Sequence, residues 1–125
     1  MHAFSILFSF VAAATAVSAL DYDVVAAISD PLNAANPIAY PNDDSPCCSN
    51  PESLSGSSFC GSQFTIGSDS NLTFAGCGSG ALSPPTQLLQ ADVVVATCSN
   101  YTTNWMCNGC SSPSSTYYKG VVICS

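Results

Sequence analysis

Cys47 and Cys48 are neighbours, and that adjacency constrains the fold more than any other feature of the chain. Adjacent Cα atoms lie about 3.8 Å apart, whereas an ordinary disulfide spans about 4.4–6.8 Å between Cα atoms. Each sulfur is therefore expected to reach a different, distant partner, so the doublet pins two other segments to one point. Six more cysteines follow, Cys60, Cys77, Cys98, Cys107, Cys110 and Cys124, and none precedes the doublet. In an exported chain, eight cysteines in a short stretch read as a disulfide framework whose pairing the sequence does not choose.

Export is read from the amino terminus. Ala3 to Val17 is an unbroken run of apolar and small residues, and Val17-Ser18-Ala19 offers small residues at a cut. Residues 1–19 are therefore expected to be a secretory signal peptide, although no Lys or Arg precedes the run. No second apolar run follows that would span a membrane. Localisation is expected to be secreted, extracellular or in a cell wall.

Residues 20–46 hold no cysteine and four prolines, and read as a Pro-containing arm or linker with room for a short element at Asp23–Ile28. Residues 47–125 read as the cysteine-rich domain. Within it, Phe59 to Ile66 and Asn71 to Cys77 alternate in part and predict a hairpin. Ser83-Pro84 fits a helix N-cap and first turn, so Thr86–Ala91 predicts a short helix. Asp92–Cys98 is β-branched and predicts a strand, Asn108-Gly109 a tight turn, and Thr116–Cys124 a closing strand. The expected fold is a small disulfide-stapled, β-rich α+β domain with antiparallel strands and at most one or two short helices.

Charge excludes several functions. The chain carries one Lys or Arg against eight Asp or Glu, a net charge of −7. Nucleic acid and anionic lipid would repel it. The single histidine, His2, leaves with the leader, so no imidazole remains for a nucleophile–base pair or a metal. Lys119 is the only cation, which leaves almost nothing to stabilise an oxyanion or a phosphate. An acid pair needs a buried cleft to raise one pKa, and the carboxylates sit in turns. Cys107-Asn-Gly-Cys110 has redox or zinc spacing, but it lacks a βαβ setting and a second matching pair. The expectation is a non-enzyme with no cofactor and no metal.

Three kinds of surface residue stand out. Asn71-Leu72-Thr73 and Asn100-Tyr101-Thr102 are N-glycosylation acceptors, at Asn71 and Asn100. Tyr101 and Trp105 lie beside Asn100 and Asn104, and with Tyr117 and Tyr118 they offer aromatic faces and amides to a sugar. The alternative is that Trp105, the sole tryptophan, packs in the core. Leu82, Leu88, Leu89, Val93, Val94 and Val95 lie in a nearly uncharged segment and are candidates for an exposed apolar patch.

A leader, eight cysteines, sparse charge and many small polar residues together resemble the small secreted cysteine-rich proteins of filamentous fungi, a class that includes hydrophobins and host-directed effectors. From Cys47-Cys48 the spacing runs eleven residues to Cys60 and sixteen to Cys77, which resembles the stretch after the first doublet of class II hydrophobins. The chain departs from that pattern in three ways, the first being the twenty residues between Cys77 and Cys98, where the family is shorter. No lone cysteine precedes the doublet, and Cys107 and Cys110 stand apart where a second doublet is expected. The resemblance implies an effector-like protein that binds a host protein or a cell-wall polysaccharide. The alternatives are a hydrophobin-like coat at an apolar interface and a small lectin-like protein.

Overall fold

A computed structural model describes residues 20–29, 35–42, 51–54, 56–107 and 116–125. The expected leader, Cys47, Cys48, Cys110 and the turn expected at Asn108-Gly109 lie outside these residues, as does the Cys107 side chain. The described chain forms nine strands and no helix: β1 (Val24–Ser29), β2 (Asn36–Pro41), β3 (Glu52–Ser53), β4 (Gln63–Ile66), β5 (Asp69–Ala75), β6 (Gln87–Gln90), β7 (Val93–Asn100), β8 (Asn104–Cys107) and β9 (Thr116–Cys124). All strand pairings are antiparallel. The fold is β-rich and antiparallel as expected, but the helix expected at Thr86–Ala91 is a strand.

The reason lies in the turns flanking that segment. The Ser83 hydroxyl does not cap a helix; it donates to the Gly80 carbonyl at 2.7 Å, and the Ser83 amide bonds the same oxygen at 3.2 Å. Those bonds close a turn that sends Gln87–Gln90 back along β5. Ala91 and Asp92 then take φ of 49° and 68°, so the chain reverses through a two-residue hairpin into β7. Positive φ at both central residues is the signature of a type I′ turn, whose twist matches the flanking strands.

The strands run in the order β3-β2-β1-β9-β7-β6-β5-β4, with β8 also paired to β9. The first half of β7 pairs with β6 and the second half with β9, so β7 links a first sheet (β3, β2, β1, β9, β8) to a second (β7, β6, β5, β4). Inward residues of both sheets form one core. Val24, Ala26, Ala39, Val122 and Cys124 meet Phe64, Ile66, Leu72, Phe74 and Leu88, with Phe59 and Leu54 also in it. Phe59 meets Phe74 edge-on, with centroids 6.4 Å apart, a favoured aromatic geometry.

Two disulfides belong to this frame. Cys98 and Cys124 are directly opposite on β7 and β9, with Cα atoms 3.9 Å apart. Their neighbours Thr97 and Ser125 exchange both backbone hydrogen bonds. Cys98 and Cys124 are thus a non-hydrogen-bonded pair, the closer kind of cross-strand neighbour. Cys60–Cys77 ties the approach to β4 to the end of β5. Beside it, Gly76 has φ 76°, and any side chain there would collide with the Thr86 hydroxyl.

Residues 20–46 are not an arm in the described part. β1 lies between β2 and β9, and its residues Val24 to Ala27 are all fully buried. Proline did not prevent this, because of the side on which each one falls. The Pro37 carbonyl accepts from the Leu54 amide on the β3 side. In an antiparallel strand a residue's N–H and C=O point the same way, so the N–H that Pro37 lacks would have faced β3. Pro41 has the same parity. β3 is only two residues long, so β2 meets β1 with its N–H groups intact.

Candidate functional site

The sequence-selected aromatics come from β8, β9 and the link between β7 and β8. Asn100 pairs with Val122, and Asn104 with Lys119. Three residues, 101–103, therefore face two, 120–121, which is a β-bulge with one extra residue. The Tyr101 amide donates to the Val121 carbonyl at 3.0 Å, and the Gly120 amide to the Thr103 carbonyl at 2.7 Å. This close crossing requires glycine at 120. A methyl group there would sit 2.7 Å from Thr103 Cγ2 and 3.2 Å from the Tyr101 carbonyl oxygen.

Beyond the bulge, the ribbon divides the aromatics between two faces. Trp105 is directly opposite Tyr118, and Met106 opposite Tyr117. Tyr101, Trp105 and Tyr118 turn toward the face of the first sheet that points away from the main core. There they pack with Ile123 against Val25, Ala27, Ile38 and Tyr40. All three are half-buried. Tyr117 belongs to the other face, where its hydroxyl donates to Asn104 Oδ1 at 2.8 Å. Met106 is 62% exposed and stands beside it, and Asn104 and Lys119 are exposed. The four aromatics are therefore not one platform: three pack on the second cluster, and Tyr117, also half-buried, stands on the opposite face.

Tyr40 joins this cluster from β2, within the segment whose prolines predict an arm. The five apolar residues Pro37–Pro41 between two asparagines were the available strand signal. Tyr40 is 2% exposed. Neither its hydroxyl nor the Trp105 indole N–H has a hydrogen-bond partner. Burial pushes the Tyr40 pKa up to about 12, against the opposing pull of the nearby Trp105 N–H, which does not reach bonding geometry, and Tyr101 raises it further. Burial also raises the Tyr118 pKa. The Tyr101 hydroxyl donates to Asn42 Oδ1 at 3.2 Å, tying the bulge to the end of β2.

The candidate apolar segment also divides. Leu88 is fully buried in the core, and Leu82 and Val95 pack against it half-buried. Leu89 is half-buried on the outer face of the second sheet. Val93 and Val94, just past the hairpin turn, are 43% and 47% exposed. Asn71 and Asn100 are both exposed. Among the described residues, no three His, Cys, Asp or Glu side chains converge as a metal site. No helix among them is long and apolar enough to cross a membrane.

What the outward ribbon face offers is an aromatic ring, an amide, a thioether and one cation, held on two paired strands. That set suits contact and hydrogen bonding. Comparison with protein-family models, with curated proteins and with solved structures found no match to this chain.

Proposed function

We propose that the chain is a secreted, non-catalytic, cysteine-rich fungal protein of the effector-like class, which binds a host protein or a cell-wall component. The observation that carries this reading is the outer face of the β8–β9 ribbon. There Met106, 62% exposed, lies opposite Tyr117 and next to Asn104 and Lys119. An exposed methionine beside a half-buried tyrosine on paired strands presents residue types enriched at protein interfaces. The low charge of the rest of the chain suits a neutral partner better than an anionic one.

The test is binding of the oxidised, secreted chain to insoluble chitin and β-glucan and to immobilised extracellular host proteins. Met106→Ala and Tyr117→Ala are compared with a Thr65→Ala control on the other sheet. Loss of binding in the first two alone supports the reading. Equal binding by all three forms removes the ribbon from it, and turnover of a glycan or peptide panel by the folded protein removes the non-catalytic part.

A second reading, a hydrophobin-like protein active at an apolar interface, is favoured by the exposure of Val93 and Val94 at 43% and 47%. A lectin-like reading loses its platform when Tyr101, Trp105 and Tyr118 are turned inward, and it rests on Tyr117 alone.

A further inference from the structure

The outer face of the second sheet has an unusual composition. Gln63 pairs with Thr73, Thr73 with Leu89, and Leu89 with Val94, so these four side chains form one row across β4, β5, β6 and β7. A second row runs Ala75, Gln87, Thr97. Thr65 and Asn71 stand at the end of the same face. None of these side chains ionises, and the row includes two apolar groups in contact with water, Val94 at 47% exposure and the half-buried Leu89. With strands about 4.8 Å apart, the four-strand row is about 14 Å wide.

Asn71 opens onto this face. It is exposed, and its φ of 60° is one that asparagine tolerates better than most residues. Leu72 beside it is fully buried, so the Asn71-Leu72-Thr73 acceptor is anchored by its middle residue with both ends turned outward. The Asn100 acceptor is placed differently. Asn100 pairs with Val122 at the bulge, and its middle residue Tyr101 is held by Asn42 against the second cluster. The row that begins there, Asn100, Val122, Ala26 and Ala39, is buried in the core beyond its first residue.

We propose that Asn71 carries an N-linked glycan whose first sugars lie along the outer face of the second sheet, covering Thr73, Leu89 and Val94. The inference rests on the reading that the chain is exported. In the step, Asn71 Nδ2 attacks the anomeric carbon of a lipid-linked oligosaccharide. The N–C bond forms, the bond from that carbon to the pyrophosphate oxygen breaks, the lipid pyrophosphate leaves and one amide proton is lost to solvent. A sugar presents hydroxyls at its rim and C–H groups on its face. The row presents hydroxyls and amides beside two aliphatic side chains. The match is of neutral polar groups and apolar patches, and it involves no charge.

The experiment expresses the full chain in a glycosylating, secreting eukaryotic host and maps peptides from the medium after enzymatic release of N-glycans. Conversion of Asn71 to Asp by the release is expected. Two variants remove the acceptor differently: Thr73→Val keeps Asn71 and a β-branched neighbour, and Asn71→Asp keeps a side chain tolerant of the positive φ. Both are expected to raise apolar-dye fluorescence several-fold over the parent, whereas Asn100→Asp leaves it unchanged. Secreted protein with Asn71 bare overturns the proposal while leaving export intact. Retention in the cell with neither acceptor modified overturns export, and the proposal with it. A glycan on Asn71 with dye fluorescence equal in parent and variants overturns the covering of the face.

Discussion

Tyr40 is the residue at which burial and polarity conflict most directly. Its hydroxyl and the Trp105 N–H are both removed from water with no partner, and a buried group left unsatisfied costs about 1–3 kcal/mol. Tyr40→Phe removes one of the two and keeps the ring that packs on Ile38 and Val25. It is expected to raise the free energy of unfolding by about 1 kcal/mol, read from the denaturant midpoint at neutral pH. The same substitution has a pH signature. Tyrosine is neutral when protonated, and in the folded chain Tyr40 holds its proton up to about pH 12, against an ordinary 10.0. The unfolded chain loses that proton first. Stability from the protonated form is therefore complete below about pH 10 and is lost as pH rises toward 12. Midpoints between pH 9 and pH 12 should fall about as far in Tyr40→Phe as in the parent only if another group, such as Tyr118, carries the loss. A clearly flatter profile in the variant is expected. This pairing was invisible in the sequence, because a tyrosine's partner across a sheet depends on register, and register here depends on an unanticipated bulge at 101–103.

The strands themselves were legible to differing degrees, and the differences trace to turn chemistry. β9 falls on the residues predicted for the closing strand, and β4–β5 is the predicted hairpin. Both had β-branched or alternating residues between clear turn signals. β6 was missed because Ala91-Asp92 is a poor advertisement for a hairpin: the residues favoured at such a turn are Asn and Gly. Without a visible turn, Thr86–Ala91 read as a helix. The turn is also a place where the fold stores cost, since a left-handed alanine is unfavourable by about 1–2 kcal/mol. Replacing Ala91-Asp92 with Asn-Gly is expected to stabilise the protein by about 1 kcal/mol, seen as a rise in Tm with unchanged antiparallel content by circular dichroism. A fall in Tm would mean that the Asp92 side chain has a role the backbone does not reveal. At the other end of β7, Cys98–Cys124 closes a sequence separation of 26 residues. Loop entropy alone assigns such a bridge about 3–4 kcal/mol. The double replacement Cys98→Ala, Cys124→Ala should therefore lower the unfolding free energy by about 3 kcal/mol in an oxidised background. A loss below about 1 kcal/mol would show that the β7–β9 ladder holds without it.

On the scale of the molecule, the question is whether the exposed apolar residues make one surface. The sequence placed them in a single segment, Leu82 to Val95, because sequence proximity was the only available measure. The structure redistributes them by alternation: Leu88 goes to the core, Leu89 to the outer face, and Val93 and Val94 to the hairpin end. Met106, the most exposed large apolar side chain described, lies on the β8–β9 ribbon instead. Val94 sits where β7 pairs with β6, and Met106 lies past the 101–103 bulge where β8 pairs with β9. The second apolar cluster, around Val25, Ala27 and Ile38, is buried beneath Tyr101, Trp105 and Tyr118. A film-forming protein needs a contiguous apolar face larger than the few hundred Å² that ordinary monomers show, and among the described residues the exposed large apolar side chains are Val93, Val94 and Met106, divided between two strand pairs. The oxidised, secreted protein is therefore expected to lower the surface tension of water no faster and no further than a soluble protein of similar size. Val93→Thr with Val94→Thr should leave that curve unchanged. A steep fall at low concentration, with a film left behind, would mean that the Tyr101–Trp105 segment lifts from the first sheet at the interface and bares Val25, Ala27 and Ile38. In that case the fall would come with a change in Trp105 fluorescence, and the surface-active reading would displace the binding one.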